Sequence, residues 1–115
     1  MDCNLIKDID NNWKLETDIL VGTYKGKPLY LYITEDTTNG TTWHQIHSNL
    51  PFSASDVVKM ESYVSNSTDT NVIGNYWSAS NNLFRAAVEN TSINAEIGST
   101  YPTRPVTVRC FIYHT

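Results

Sequence analysis

Val21-Gly22-Thr23-Tyr24-Lys25-Gly26-Lys27-Pro28-Leu29-Tyr30-Leu31-Tyr32-Ile33 is the stretch on which the reading of the fold turns. It divides into two extended runs, Val21 to Tyr24 and Leu29 to Ile33, joined by a turn. Gly26 supplies the backbone freedom of a tight turn, and Pro28 pre-sets the backbone after it. Beyond the turn the residues alternate. Leu29, Leu31 and Ile33 share one face of a strand, and Tyr30 and Tyr32 share the other. Both faces are apolar or aromatic. One face is expected to pack into a core and the other to meet a second layer or another subunit.

The whole chain has 115 residues, one domain's worth, with 40% hydrophobic and only 17% charged residues. Ser, Thr and Asn take the place of the missing charges. Together with seven Tyr and three Trp, that composition favours strands and polar loops over helices. The net charge is −4, so the basic footprint of a nucleic-acid binder is missing. No stretch reaches transmembrane length, and no apolar leader opens the chain. Neither nucleic acid nor membrane is an expected partner.

Working outward, Met1 to Thr17 is polar and mixed, with Trp13 its large anchor, and reads as a lead-in segment. Residues 18–115 read as a single all-β domain. Thr34 to Thr41 carries acids, threonines and Asn39-Gly40, a turn signal. Thr42 to His47 is a short strand, with Trp43 and Gln45 on one face and His44 and Ile46 on the other. Asn49 to Ser55 is a loop. Asp56 to Ser65 fits a strand with Val58, Met60 and Val64 on one face. It also fits a short helix capped by Ser55; its β-branched and aromatic residues favour strand. Val72 to Trp77 is a further strand. Leu83 to Val88 and Ser92 to Ile97 form a hairpin with Phe84, Ala86, Val88, Ile93, Ala95 and Ile97 inward. Val106 to Tyr113 alternates most cleanly, with Val106, Val108, Cys110 and Ile112 on one face. Strands spaced this way predict an antiparallel β-sandwich or a jelly-roll-like fold.

The opening Val21-Gly22-Thr23-Tyr24-Lys25-Gly26-Lys27-Pro28-Leu29-Tyr30 resembles the "VGTWIDGKPIYRK" start of a domain common in phage and prophage tail proteins. Later segments follow that domain's order: Thr42 to His47 with Asn49-Leu50, Val57 to Tyr63, Leu83 to Ile97, and Val106 to His114. The turn at Tyr24-Lys25-Gly26 is one residue shorter than in that domain. The resemblance implies a structural and host-attachment module of a tail fibre or receptor-binding protein. It implies a virion protein made in the bacterial host cytoplasm, a homotrimer, with other tail or baseplate proteins as partners. It implies no catalysis and no cofactor. A free-standing lectin-like module is the alternative.

The motifs of catalysis fail on spacing. Gly22 to Lys27 has three residues where a phosphate loop has four, and Pro28 follows Lys27. His44 and His47, three apart on a strand, are expected on opposite faces and cannot share a metal. Glu35-Asp36 sits in an expected turn, where carboxylates are solvated. Cys3 and Cys110 are expected as free thiols, Cys110 buried.

What remains is binding. Tyr76 and Trp77, with Asn81, Asn82, Tyr101 and Arg104 on neighbouring loops, suit weak binding of a bacterial surface glycan. Rings stack on pyranose faces, and amides and hydroxyls meet sugar hydroxyls. The competing reading of Tyr76 and Trp77 is packing in a core or between subunits. Tyr30, Tyr32, Phe111 and Tyr113 are the candidate oligomer interface, because a small domain has little interior to hide both faces of two strands.

Overall fold

The computed structural model describes residues 6–7, 12–65, 72–74, 84–98 and 105–115. Among them, eight strands form two antiparallel sheets. They are β1 (Ile19–Tyr24), β2 (Lys27–Thr38), β3 (His44–His47), β4 (Val57–Ser65), β5 (Val72–Gly74), β6 (Phe84–Glu89), β7 (Ser92–Ile97) and β8 (Val106–His114). The large sheet has the order β1-β2-β8-β4-β5 and the small sheet the order β3-β7-β6. The molecule is an all-β sandwich, as the strand spacing predicts.

The hairpin that opens the domain is a two-residue turn between Tyr24 and Lys27. Lys25 and Gly26 both take positive φ, 49° and 79°, the pairing that matches the twist of the flanking strands. Lys27 to Leu29 lie beyond the end of β8, which first pairs at Tyr30↔His114, so Pro28 interrupts no ladder on that side.

Strand β2 does not stop at Ile33. It continues to Thr38, through the segment whose acids and threonines suggested a turn. The ladder to β8 carries it: Glu35 pairs Arg109, Asp36 pairs Val108 and Thr38 pairs Val106. Local composition is overruled by a long-range partner that offers every backbone group a bond. Gly40 follows the strand for a different reason from the one its Asn-Gly context suggested. A Cβ there would stand 2.5 Å from the His44 ring, so any other residue would have to displace that ring.

The core lies between the sheets. From the large sheet come Tyr32, Val64, Val106, Val108, Cys110 and Ile112. From the small sheet come Phe84, Ala86, Ile93, Ala95 and Ile97, with Leu50 and Phe52 from the loop before β4. The inward faces read from β6, β7 and β8 are correct throughout. In β4 a register shift between Val57 and Lys59 turns Val57 toward the core, in place of the expected Val58. Ahead of it Ala54–Asp56 forms one 3-10 turn. Asp56 accepts from the Ser53 backbone N–H at 3.0 Å, closing a capping box.

The second face of β2 is covered as well. Leu31 and Ile33 are 2% and 0% exposed in a cluster with Ile19, Val21, Phe111, Tyr113, Ile6 and Trp13. Ile6 and Trp13 belong to the lead-in segment. Lys14 N–H donates to the Ile6 carbonyl at 2.7 Å, and Glu16 N–H donates to the Ile33 carbonyl at 2.8 Å. Trp13 meets Phe111 edge to face at 5.4 Å, and the Lys7 ammonium lies 4.4 Å from the Trp13 ring centre. The premise that a single domain cannot hide both faces of this strand therefore does not hold: the described part of the lead-in closes the second one. Tyr32 is buried against Phe52, with ring centres 5.3 Å apart, and is a core residue.

Two outcomes follow. Trp13→Ala is expected to destabilise the domain by about 2 kcal/mol, below the range for fully buried rings because Trp13 is half-exposed. Urea unfolding measures it; an unchanged midpoint would mean that the segment is not part of the fold. Cys110 is a free, fully buried thiol. Burial pushes it up to about 12, against a smaller downward pull from the Thr34 hydroxyl and a small upward push from Asp36. The unfolded chain loses this proton near 9 while the folded chain keeps it to about 12. Stability is thus full below pH 9 and falls above it, with a slope of about 1.4 kcal/mol per pH unit from this group. Cys110→Ala should flatten that part of the alkaline decline in urea midpoints.

Candidate binding face

The polar side chains fall into two groups, one between the sheets and one outside them. The inner group is built on histidines. His47 Nδ1 lies 3.0 and 3.1 Å from the two Asp36 oxygens, and its Nε2 lies 3.2 Å from Glu16 Oε1. His44 Nε2 lies 2.6 Å from Thr38 Oγ1, and its Nδ1 faces the Thr42 carbonyl. Thr38 Oγ1 in turn accepts from Gly40 N–H at 3.0 Å. Both rings thus face the inner side of β2. The expectation that they point opposite ways fails because β3 shifts register between Gln45 and His47. Glu35 and Asp36 are likewise not solvated turn acids. Glu35 accepts from Arg109 Nε at 2.7 Å, and Asp36 holds His47.

This inner group works as a clip between elements. Among the described residues no group of three or more His, Cys, Asp or Glu could hold a metal. The carboxylate–imidazole–carboxylate row joins the lead-in segment, the large sheet and the small sheet. His114 plays a similar part at the other end. Its Nε2 donates to Asp18 at 2.7 Å, and its ring stacks on Phe52 at 3.9 Å. His47→Ala is expected to cost about 2–3 kcal/mol, because it strands a mostly buried Asp36 carboxylate. Thermal unfolding at neutral pH measures it, and a change under 0.5 kcal/mol would remove the clip from the account.

The outer group lies on the exposed side of the small sheet. Because Phe84, Ala86, Val88, Ile93, Ala95 and Ile97 point inward, Arg85, Ala87, Glu89, Ser92, Asn94 and Glu96 must point out. Gln45 pairs with Asn94 on the same side, and Trp43 stands at the head of β3. These side chains are interlocked. Trp43 Nε1 donates to Glu89 Oε1 at 3.0 Å, and Asn94 Nδ2 donates to Glu89 Oε2 at 2.8 Å. The Arg85 guanidinium lies 4.7 Å from the Trp43 ring centre and donates to Glu96 from Nε and Nη2 at 3.2 and 2.9 Å. Trp43 is half-exposed, with its edge tethered and a cation over its ring.

A cleft of about 280 Å³ at the β1–β2 turn, lined by Tyr24, Lys25, Lys27, Ser55, Asp56 and Val58 among others, is a weaker candidate. Its carboxylate already holds the Ser53 backbone, and the Lys25 ammonium lies 5.4 Å from the Tyr24 ring centre.

The sequence-based glycan residues Tyr76, Trp77, Asn81, Asn82, Tyr101 and Arg104 lie outside the described residues, as does Cys3. Of the expected interface residues, Tyr30 and Tyr32 share the inner face with Ile112 and His114, and Tyr30 stacks on His114 at 5.7 Å. Phe111 and Tyr113 are on the outer face of the large sheet, half-buried beside Trp13, Lys59 and the 36%-exposed Tyr63. Tyr32 is buried, whereas Tyr30, Phe111 and Tyr113 each keep part of their surface exposed. Alternation puts Trp43 and Gln45 on one face of their strand, but nothing local joins Trp43 to Arg85, Glu89 and Asn94.

Comparisons with protein-family models, curated proteins and solved structures find no match. Among the described residues no helix is long and apolar enough to cross a membrane.

Proposed function

We propose that this chain is a non-catalytic, carbohydrate-binding attachment module, and that the outer face of the small sheet is its binding face. One observation carries the reading: a half-exposed tryptophan is tethered beside an amide, a guanidinium and carboxylates on the outward side of the small sheet. A ring stacks on the C–H face of a pyranose, and the surrounding amides and charged groups exchange hydrogen bonds with its hydroxyls. Holding the ring in place beforehand lowers the ordering cost of binding.

The hairpin that resembles phage tail domains supports placing such a module in a tail, where repetition turns weak single-site affinity into firm attachment. The covering of the second face of β2 within one chain supports the free-standing lectin-like alternative. Light scattering at micromolar concentration separates the two. A trimer favours the tail, and a monomer favours the free-standing module.

Trp43→Ala is expected to weaken binding to the glycans that the parent retains on an array by at least about tenfold, while circular dichroism and the unfolding midpoint stay near the parent's. Trp43→Phe, which keeps a ring but drops the bond to Glu89, should fall between. If Trp43→Ala binds as well as the parent, this face is not the site.

A further inference from the structure

The charges on the proposed face are unevenly placed, and that bears on which sugars it takes. Among the described residues the outer side of the small sheet carries one cation, Arg85, and two anions, Glu89 and Glu96. The cation is already matched. Arg85 pairs directly across the strands with Glu96 and donates to a single carboxylate oxygen from two of its nitrogens. The side chain of Glu96 is only 21% exposed, so this pair is less screened than a fully solvated one. Glu89 accepts from Trp43 and Asn94, both neutral groups, so its charge is not cancelled. It stands at the edge of the ring on which a sugar would stack.

We infer that this face selects uncharged pyranosides and turns away acidic ones such as sialylated, uronic or phosphorylated glycans. The inference rests on the reading of the face as a glycan site. A carboxylate or phosphate stacked beside Trp43 would stand within a few ångströms of Glu89, and the nearest cation already shares its charge with Glu96. Like-charge repulsion at that range, softened by water and salt, lowers affinity on the order of fivefold. A neutral sugar meets no such term, and its hydroxyls can donate to the carboxylate oxygens around the ring. The chain's net charge of −4 adds to the repulsion at a distance.

The test uses the full chain on an array carrying neutral glucan, galactan and mannan fragments beside sialylated, uronic and phosphorylated ones. It is read at about 50 mM and about 500 mM salt. The expected result is retention on neutral fragments at both salts, with acidic ones weak at low salt. Glu96→Gln removes one negative charge from beside Arg85. It should raise the acidic-glycan signal several-fold relative to the neutral one. Circular dichroism confirms that the variant is folded. Strong acidic binding that Trp43→Ala abolishes would overturn the selectivity and leave the site standing. An unchanged acidic signal in Glu96→Gln would also overturn it. Glycan binding that ignores Trp43, or no glycan binding at all, would sink the site and the selectivity together.

Discussion

A strand whose two faces are both apolar has to be covered twice. Strand β2 sets that constraint and β8 shares it, because Leu31 and Ile33 stand beside Tyr113 and Phe111 on one side while Tyr32 and Thr34 stand beside Ile112 and Cys110 on the other. Water is acceptable at neither surface. The inner side is met by the small sheet, and the outer side by Ile6 and Trp13 folding back over it. The rest of the architecture follows from these two coverings. The β6–β7 hairpin has to be apolar on one side only, so its other side is left for polar chemistry. The lead-in segment has to be fixed in place, and Glu16 does so twice, by its backbone N–H to Ile33 and its carboxylate to His47.

The two coverings are also mechanically linked. His47 stands on the small sheet, Asp36 on the large sheet and Glu16 on the segment across the outer face. The His47 ring meets Asp36 through Nδ1 at 3.0 Å and Glu16 through Nε2 at 3.2 Å. One ring thereby ties three layers together. Tyr32 lies close enough to feel the same neighbourhood: burial first, and then the charges of Glu16 and Asp18, raise its ionisation above the usual phenol range. The N-terminal segment is thus bound to the body by polar geometry as well as by the packing of Trp13.

Sequence alternation revealed what depends on a period of two. All six inward residues of β6 and β7, and the four of β8, were legible, because on a regular strand the face follows from position alone. It failed where a bulge inserts a residue. The irregularity after Gln45 brings His44 and His47 to one side, and the one after Val57 exchanges Val57 for Val58. It failed again where partners lie far apart in the chain. Glu35 and Asp36 look like turn acids until Arg109 and His47 are opposite them. The segment containing Trp13 looks dispensable until Phe111 is beneath it. Bulges and long-range pairing leave no mark at the residue concerned.

The same limit hides the proposed binding face in the sequence. Its aromatic residue, Trp43, stands 46 positions from Glu89, the carboxylate that fixes it. Arg85, Glu89, Asn94 and Glu96 are what any solvent-facing hairpin could carry, and separately they are ordinary surface residues. They become a cluster only because β3 docks beside β7 and brings an indole to them. Glu89 is the hinge of that arrangement. Its two oxygens are occupied by two different donors, one from the aromatic residue and one from the amide, so ring and amide are fixed relative to each other. The proposed sugar ligand would need that relation, since a pyranose offers its C–H face and its hydroxyl edge at a set angle. Two side chains that are each free to turn would have to be ordered on binding, at a cost weak ligands cannot meet. Placing one carboxylate between them transfers that ordering to folding, where the packing of the small sheet against the large one sustains it.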